Sequence, residues 1–587
     1  MSAWKWLAIT IIVVGGLVLR LLGIQWGLPD EWHAFSYHPD EVTIALCALS
    51  LDIFSLRMNP HFFNYGSLFI YLVYFASLFA QGWGLLNLNV PQAMWLTWWS
   101  KLHLIGRVLN AFIGTATIGV VFWASRMAYG DLAALIASFL LALIPLHVQH
   151  SHFMTVDVSL AFWTMMSLGY ALYAVRIDDA EPRRKPRVIR LLALSGFMGG
   201  LAIGTKYGVA VALGFTWIVT VMLVAQTYAD KWANGESYRV HIDYKSALKL
   251  LSITAVACIV GFLVACPYSI LSWHEFIAGV GYEAKHVRTG HGELFMNTGN
   301  GHWYHLTVNL PAALGLPLLA LALAGVAWAV YQREREDLVL LTFVAVYFVF
   351  VGSFKVRFVR YLMPIIPPLA IFAGRLTAVV ITQCRPSNIR INCKRFVMWV
   401  GAVIALIGIM GYTACYAIAI VRVMMQPDAR DVAAEWVRGE IPIGSTIAIA
   451  NEPWFYTSPV KPLKAGPHAP LLKLPFPTSA HLKEVNYHLK AIWFDLKALQ
   501  QLQPAGYIIS SFEYRELVRL RIPKVLQMLR ELERMRNERL LIRRDFYNPF
   551  ELFGIRFGPS FIPHDMMYTN PVVRVYLFRW RDKYESQ

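Results

Sequence analysis

Trp4–Leu22, WKWLAITIIVVGGLVLRLL, followed by a polar stretch that reaches Tyr37-His38-Pro39-Asp40-Glu41, decides how this chain is read. The first run is apolar enough to cross a bilayer, which takes roughly 20 residues. No small-residue cleavage site follows it, so it reads as a retained first helix rather than a secretory signal. Two adjacent carboxylates just beyond it do nothing for insertion. In a polar loop against a membrane they read either as a solvated loop end with a Pro-Asp turn or as an acid held for proton transfer.

The composition settles the class. Of 587 residues, 57% are hydrophobic and only 15% charged, which describes a polytopic membrane protein with a soluble appendage. The formal charge of +17 does not indicate nucleic acid, because the basic residues are spread through short loops between apolar runs. Six cysteines (Cys47, Cys258, Cys266, Cys384, Cys393 and Cys415) show no paired metal spacing, and none lies further along to staple a C-terminal domain.

Further apolar runs at 103–126, 131–146, 155–175, 190–204, 207–226, 248–271, 304–331, 338–353, 359–382 and 396–421 bring the expected count to about eleven spanning helices. Several are short for a straight crossing, so tilted or broken helices are expected. The run Ser67–Ala80 is shorter still and reads as an interfacial helix. An inside N-terminus puts Arg183-Arg184-Lys185, Arg187, Arg190, Arg385, Arg390, Lys394 and Arg395 on the cytoplasmic side. The first loop (25–102), the loop 272–303 and everything after about Arg422 then share the outer face of a plasma membrane. The expected division is a transmembrane domain over 1–421 and an extracytoplasmic α/β domain over 422–587. Strands at Thr446–Ala450 and Gly506–Ser511 and a charged helix at Lys524–Asn537 mark the latter.

Charged residues stand where hydropathy says they should not. Asp157 follows His147, His150 and His152 at the outer end of a helix. Lys206 interrupts Gly200-Leu201-Ala202-Ile203-Gly204-Thr205-Lys206-Tyr207-Gly208, and Arg357 and Arg360 precede Pro364 and Pro367-Pro368. A charge near membrane depth costs about 2.5–3.5 kcal/mol on insertion scales, so such residues face a cavity or a partner. For the two arginines, snorkelling to the interface is an equal alternative. For Lys206, the flanking glycines let a ligand or backbone approach closely.

In this order and on this side of the membrane, Asp40-Glu41, the His-rich segment before Asp157, Gly-Leu-Ala-x-Gly-Thr-Lys-Tyr and Arg-Tyr-Leu-Met-Pro resemble a family. It is that of lipid-linked-sugar-dependent glycosyltransferases of the protein O-mannosyltransferase and aminoarabinose transferase type, with the GT-C fold. Asp428-Ala429-Arg430-Asp431 and the segment after it resemble the opening of the family's outer domain. The resemblance implies inverting transfer of a sugar from a polyprenyl or dolichyl monophosphate to an acceptor at the outer face. It matches Asp40 to the base that deprotonates the acceptor and Glu41 to its orienting neighbour. It matches Lys206, and Arg357 or Arg360, to cations on the donor phosphate. A lysine followed by two prolines, present in the aminoarabinose branch, is absent from His61-Phe62-Phe63-Asn64-Tyr65-Gly66-Ser67. Arg107 or Lys285 is then the expected substitute.

Asp157, His152, His286 and His291 are candidates for an acceptor pocket or for a divalent metal ion, although neither histidine cluster has clean ligand spacing. The expected partners are the lipid-linked donor, membrane lipid and an unidentified protein, lipid or glycan acceptor, with no nucleic acid. The competing class is a transporter or flippase, which also buries charges but should show repeat symmetry between its halves, and none is visible.

Overall fold

The computed structural model describes residues 2–86, 95–177, 184–228, 240–382, 393–463 and 485–580. Arg183, Arg385 and Arg390, used above to orient the chain, lie outside the described residues. The protein is a polytopic helical membrane protein carrying a sheet-containing C-terminal region. Each expected apolar run is helical.

Among the described residues, eight helices are long and apolar enough to cross a membrane, from Ala3–Leu21 to the helix beginning at Phe396. The pair Gly301–Leu314 and Leu316–Gln332, bent by 116° at Gly315, brings the number to nine if it counts as one broken span. Gly315 has φ +78°, and a Cβ there would meet the Tyr412 ring at 2.8 Å, so the bend requires glycine. The sequence-based count of about eleven is not confirmed. Asp131–Leu143 has only 13 residues, and Arg335–Gly352 spends its first turn on Arg335, Glu336 and Asp337. Ser67–Ala80 forms the 15-residue helix Leu68–Gly82, too short to be a comfortable span. It packs on Pro39–Leu49 and Trp95–Tyr129.

The C-terminal sheet has strands β1 (Thr446–Ile449), β2 (His488–Ala491), β3 (Gly506–Ser510), β4 (Leu541–Phe546) and β5 (Val573–Phe578), in the order β2-β1-β3-β5-β4. β1 runs parallel to β2 and β3, and β5 antiparallel to β3 and β4. Every residue of β3 is buried because both faces are covered. Tyr507 and Ile509 pack with Met528 and Leu532 of the helix Pro523–Asn537 on one face. Ile508 packs with Ala433 and Val437 of the helix Ala429–Glu440 on the other.

The sheet region is locked to the first loop and to the membrane helices. Trp26 Nε1 donates to Asp428 at 3.1 Å, and the Arg430 guanidinium lies 3.7 Å from the Tyr37 ring centre. Gln149 donates to the Met566 carbonyl and the Thr569 hydroxyl, both at 3.0 Å.

Candidate active site

Asp40 and Glu41 lie in the first turn of the helix Pro39–Leu49, not in a loop end. Proline suits the first helical position, and carboxylates there face the positive end of the helix dipole. Consecutive helical residues diverge by about 100°, and the two carboxylates separate accordingly. Asp40 faces a cavity and lies 3.2 Å from Arg360 Nη2. Glu41 turns into the protein.

Arg360 sits in the tight helical turn Val359–Ile365. The buried Asp565 carboxylate holds that turn by accepting the backbone N–H groups of Val359 and Arg360 at 3.1 and 3.0 Å. The guanidinium also stands 4.0 Å from Asp157 and 4.3 Å from the Phe358 ring centre. Asp157, in the first turn of Val156–Arg176, accepts from Lys206 Nζ at 2.9 Å.

Lys206 is brought there by a close approach of two glycines. Gly66 and Leu68 donate to the carbonyls of Thr205 and Gly204, and a Cβ on Gly66 would fall 1.9 Å from the Gly204 oxygen. Any other residue at Gly66 would push the Lys206 segment away. The ammonium also lies 4.7 Å from the Tyr361 ring centre.

Asp40, Arg360, Asp157 and Lys206 thus form an alternating chain of charge in one cavity of about 500 Å³. Its walls include Tyr65, Tyr282, Glu283, His286, His291 and Phe358, with Trp454, Phe455, His564 and Tyr568 from the C-terminal region. A larger cavity of about 730 Å³ is lined by Lys5, Arg126, Asp131, Arg176, Glu334 and Arg375. Those charges pair locally, as in Lys5–Asp131 at 2.7 Å and Arg375–Glu334 at 2.9 Å.

Five of the sequence-based candidates do not reach this cavity. Glu41 and Arg107 are both fully buried and form a two-pronged ion pair, with 2.8 Å from Nε to Oε1 and from Nη2 to Oε2. Glu41 also accepts from the Met154 N–H at 2.7 Å and from Ser36, and Arg107 donates to the carbonyls of Ile24 and Trp26. Burial acts to raise the Glu41 carboxyl, but the Arg107 guanidinium outweighs it and holds the group down to about 2. Arg107 is therefore spent on Glu41 and on backbone, and is not a substitute phosphate ligand. Arg357 donates to Thr298 and to the Gly299 carbonyl, away from the quartet. The buried His152 ring sits between the carbonyls of Val148 and Leu22, at 2.8 and 2.9 Å. Lys285 is exposed and does not line the cavity.

His286 and His291 do line it, their rings bonded at 2.9 Å. Among the described residues no group of three or more His, Cys, Asp or Glu side chains could hold a metal ion. Sequence reasoning missed Tyr65, Tyr361, Trp454, Phe455, His564, Asp565 and Tyr568. In sequence they are ordinary aromatic and polar residues, and only long-range packing assembles them.

Residues 100–268 match the family model for dolichyl-phosphate-mannose-protein mannosyltransferase. That segment carries Asp157 and Lys206, and the match agrees with the resemblance drawn from the motifs. No curated protein matches the chain. Three solved structures similar to it come from different organisms. The Archaeoglobus fulgidus oligosaccharyltransferase in its apo form is 16% identical with a TM-score of 0.48, over 78% of this chain and 63% of that one. This chain therefore spans less than two thirds of the archaeal enzyme's length. ArnT from Cupriavidus metallidurans bound to undecaprenyl phosphate is 17% identical with a TM-score of 0.47, over 98% of both chains. The S. cerevisiae protein O-mannosyltransferase Pmt1-Pmt2 complex bound to the sugar donor is 16% identical with a TM-score of 0.32, over 47% of this chain and 34% of that one.

Proposed function

We propose that this protein is an inverting glycosyltransferase that moves a sugar from a polyprenyl or dolichyl monophosphate to an acceptor at the outer face of the membrane. The observation that carries this reading is the quartet Asp40–Arg360–Asp157–Lys206, gathered at one cavity where membrane helices meet the C-terminal region. In the reaction the acceptor oxygen attacks the anomeric carbon from the face opposite the phosphate. The bond from carbon to phosphate oxygen breaks, and the lipid phosphate leaves with the electron pair. The acceptor's proton passes to Asp40. Lys206 and Arg360 meet the charge that grows on the leaving phosphate, and Asp157 holds both cations in place beforehand. Binding the donor exchanges one anionic partner of these cations for another, so the cavity need not desolvate a bare charge.

The same reading places the N-terminus inside, and the cavity and the region from 422 onward outside. It is supported by the clustering of Arg187, Arg190, Lys394 and Arg395 between spans on one side. Nothing in the fold favours the transporter alternative. Single cysteines at the exposed positions Ser55, Gln527 and Arg187, on a cysteine-free background, test the orientation. Positions 55 and 527 should label in intact cells with an impermeant reagent, and position 187 only after permeabilisation. Opposite behaviour at 55 and 527 would separate Asp40 from the C-terminal region.

The activity itself is tested with purified protein, a panel of polyprenyl-phosphate sugars and lipidomic readout of donor consumption. Consumption of at least one donor, lost in Asp40→Asn, is expected. Equal consumption by wild type and Asp40→Asn overturns the reading.

A further inference from the structure

The helix Trp273–Thr289 ends in polar groups that the charge quartet does not use. Glu283 and His286 are one turn apart, with Glu283 Oε2 3.4 Å from His286 Nδ1. His286 Nε2 lies 2.9 Å from His291 Nδ1. The helix stops at Gly290, whose φ of +109° reverses the backbone and returns His291 to the cavity wall. A backbone bridge to Leu294 and the edge-on ring of Phe358, 5.5 Å away, fix the imidazole. Lys355 N–H donates to the Val287 carbonyl at 2.9 Å, tying this loop to the segment that carries Arg360.

The contacts favour one placement of the hydrogens. The Glu283 carboxylate, 3.4 Å from His286 Nδ1, favours the tautomer that turns a hydrogen rather than a lone pair toward it. A neutral His286 then offers a lone pair at Nε2, and the 2.9 Å contact needs its hydrogen from His291 Nδ1. The remaining nitrogen, His291 Nε2, is left with a lone pair.

We propose that His291 Nε2 accepts the hydrogen bond of the incoming acceptor's hydroxyl beside Asp40, and that Glu283 and His286 are positioning residues that hold His291 in the tautomer this requires. The proposal rests on the transferase reading of the cavity. Asp40 is engaged by Arg360, so a second acceptor that carries no charge fixes the hydroxyl's direction without competing for that cation. The atom selects for acceptor groups that still present a hydrogen.

The arrangement depends on pH in a defined direction. Burial lowers the His291 imidazole below its ordinary range, and His286 and Arg360 lower it further, while Asp40 and Glu283 act upward. His564, from the C-terminal region, also faces it. When His291 itself gains a proton, its Nε2 becomes a donor and the hydroxyl loses its acceptor.

The test uses the full chain in nanodiscs, with dolichyl-phosphate mannose as donor and glycerol as surrogate hydroxyl acceptor. His291→Phe should raise the glycerol KM about tenfold, as expected for one lost oriented hydrogen bond, and leave the donor KM unchanged. His291→Gln should restore most of the loss, because its carbonyl oxygen can accept. His286→Phe should move the acid limb of kcat/KM for glycerol to higher pH, since it removes a group that lowers His291. A His291→Phe enzyme with unaltered glycerol KM, a glutamine no better than phenylalanine, or an unmoved acid limb overturns the proposal. Nitrogen-15 histidine spectra report independently of turnover. They should show His291 protonated on Nδ1 and bare on Nε2 at pH 7.5, and the reverse tautomer sinks the idea even if glycerol is a poor substrate. Failure of wild type to consume any polyprenyl-phosphate sugar is a separate result and counts against the transferase reading instead.

Discussion

Asp40 and Glu41 are neighbours in sequence, identical in charge and placed in the same helical turn, yet they live in opposite environments. Asp40 keeps 23% of its side chain exposed, has one long contact to Arg360, and opens onto a cavity. Glu41 has no exposure, two 2.8 Å bonds to Arg107, and further donors on both oxygens. A carboxylate that is to take a proton must be reachable and incompletely satisfied. One that is to hold a first loop against a membrane helix must be neither. On the proposed reading, the pair divides catalysis and structure between adjacent residues.

The contrast can be broken most forcefully at Arg107. Arg107→Met strands the buried Glu41 charge and should cost about 3–5 kcal/mol, a large share of an ordinary folding free energy. It should appear as lost yield of monodisperse protein. A variant that purifies and melts like wild type but binds donor poorly would return Arg107 to the phosphate. Asp40→Asn should do the reverse, purifying normally while turnover falls by about 10²–10⁴. Retention of more than roughly a tenth of wild-type rate removes Asp40 from the base role.

Lys206→Met and Arg360→Met sharpen the picture on the cation side. Each should weaken donor use by about 10–100-fold, the value of a charge-assisted bond of about 1.5–3 kcal/mol. The double variant should lose less than the product of the two if both touch one phosphate. Strictly multiplicative losses would assign them to separate sites.

The smallest effect concerns His38, just ahead of the pair. Burial pushes its imidazole down to about 4, against an ordinary value near 6.5. The unfolded chain therefore takes up the proton first, and stability falls as pH drops from about 6.5 toward 4. At pH 5 the loss should be about 2 kcal/mol, and His38→Phe should flatten the melting profile between pH 7 and 5 by that amount. An unchanged slope would show that His38 is not the group responsible.

Hydropathy made the helical runs legible, and charge in apolar surroundings pointed to Asp157, Lys206 and Arg360, which the fold gathers with Asp40. The same rule could not divide Asp40 from Glu41, because the direction of each depends on where the helix begins at Pro39. Nor could it separate Arg360 from Arg357, three residues apart and differing only in which loop each faces. Arg107 looked like a free cation because its partner is 66 residues away. Trp454, Phe455 and Tyr568 carry no periodic signal at all, and their place in the wall follows from how the sheet region docks. The strands β1 and β3 were readable because each is a compact apolar run, but their pairing order was not.

The clamp on Arg360 has a consequence in time. Its backbone is held by Asp565, 205 residues further along the chain. At roughly 5–20 residues per second, a ribosome needs about 10–40 s to deliver that carboxylate after the arginine has been made. The helices that bracket the cavity can enter the bilayer in that interval while the turn carrying the arginine still lacks its anchor. Competence therefore arrives late in biosynthesis, after most of the membrane part is made.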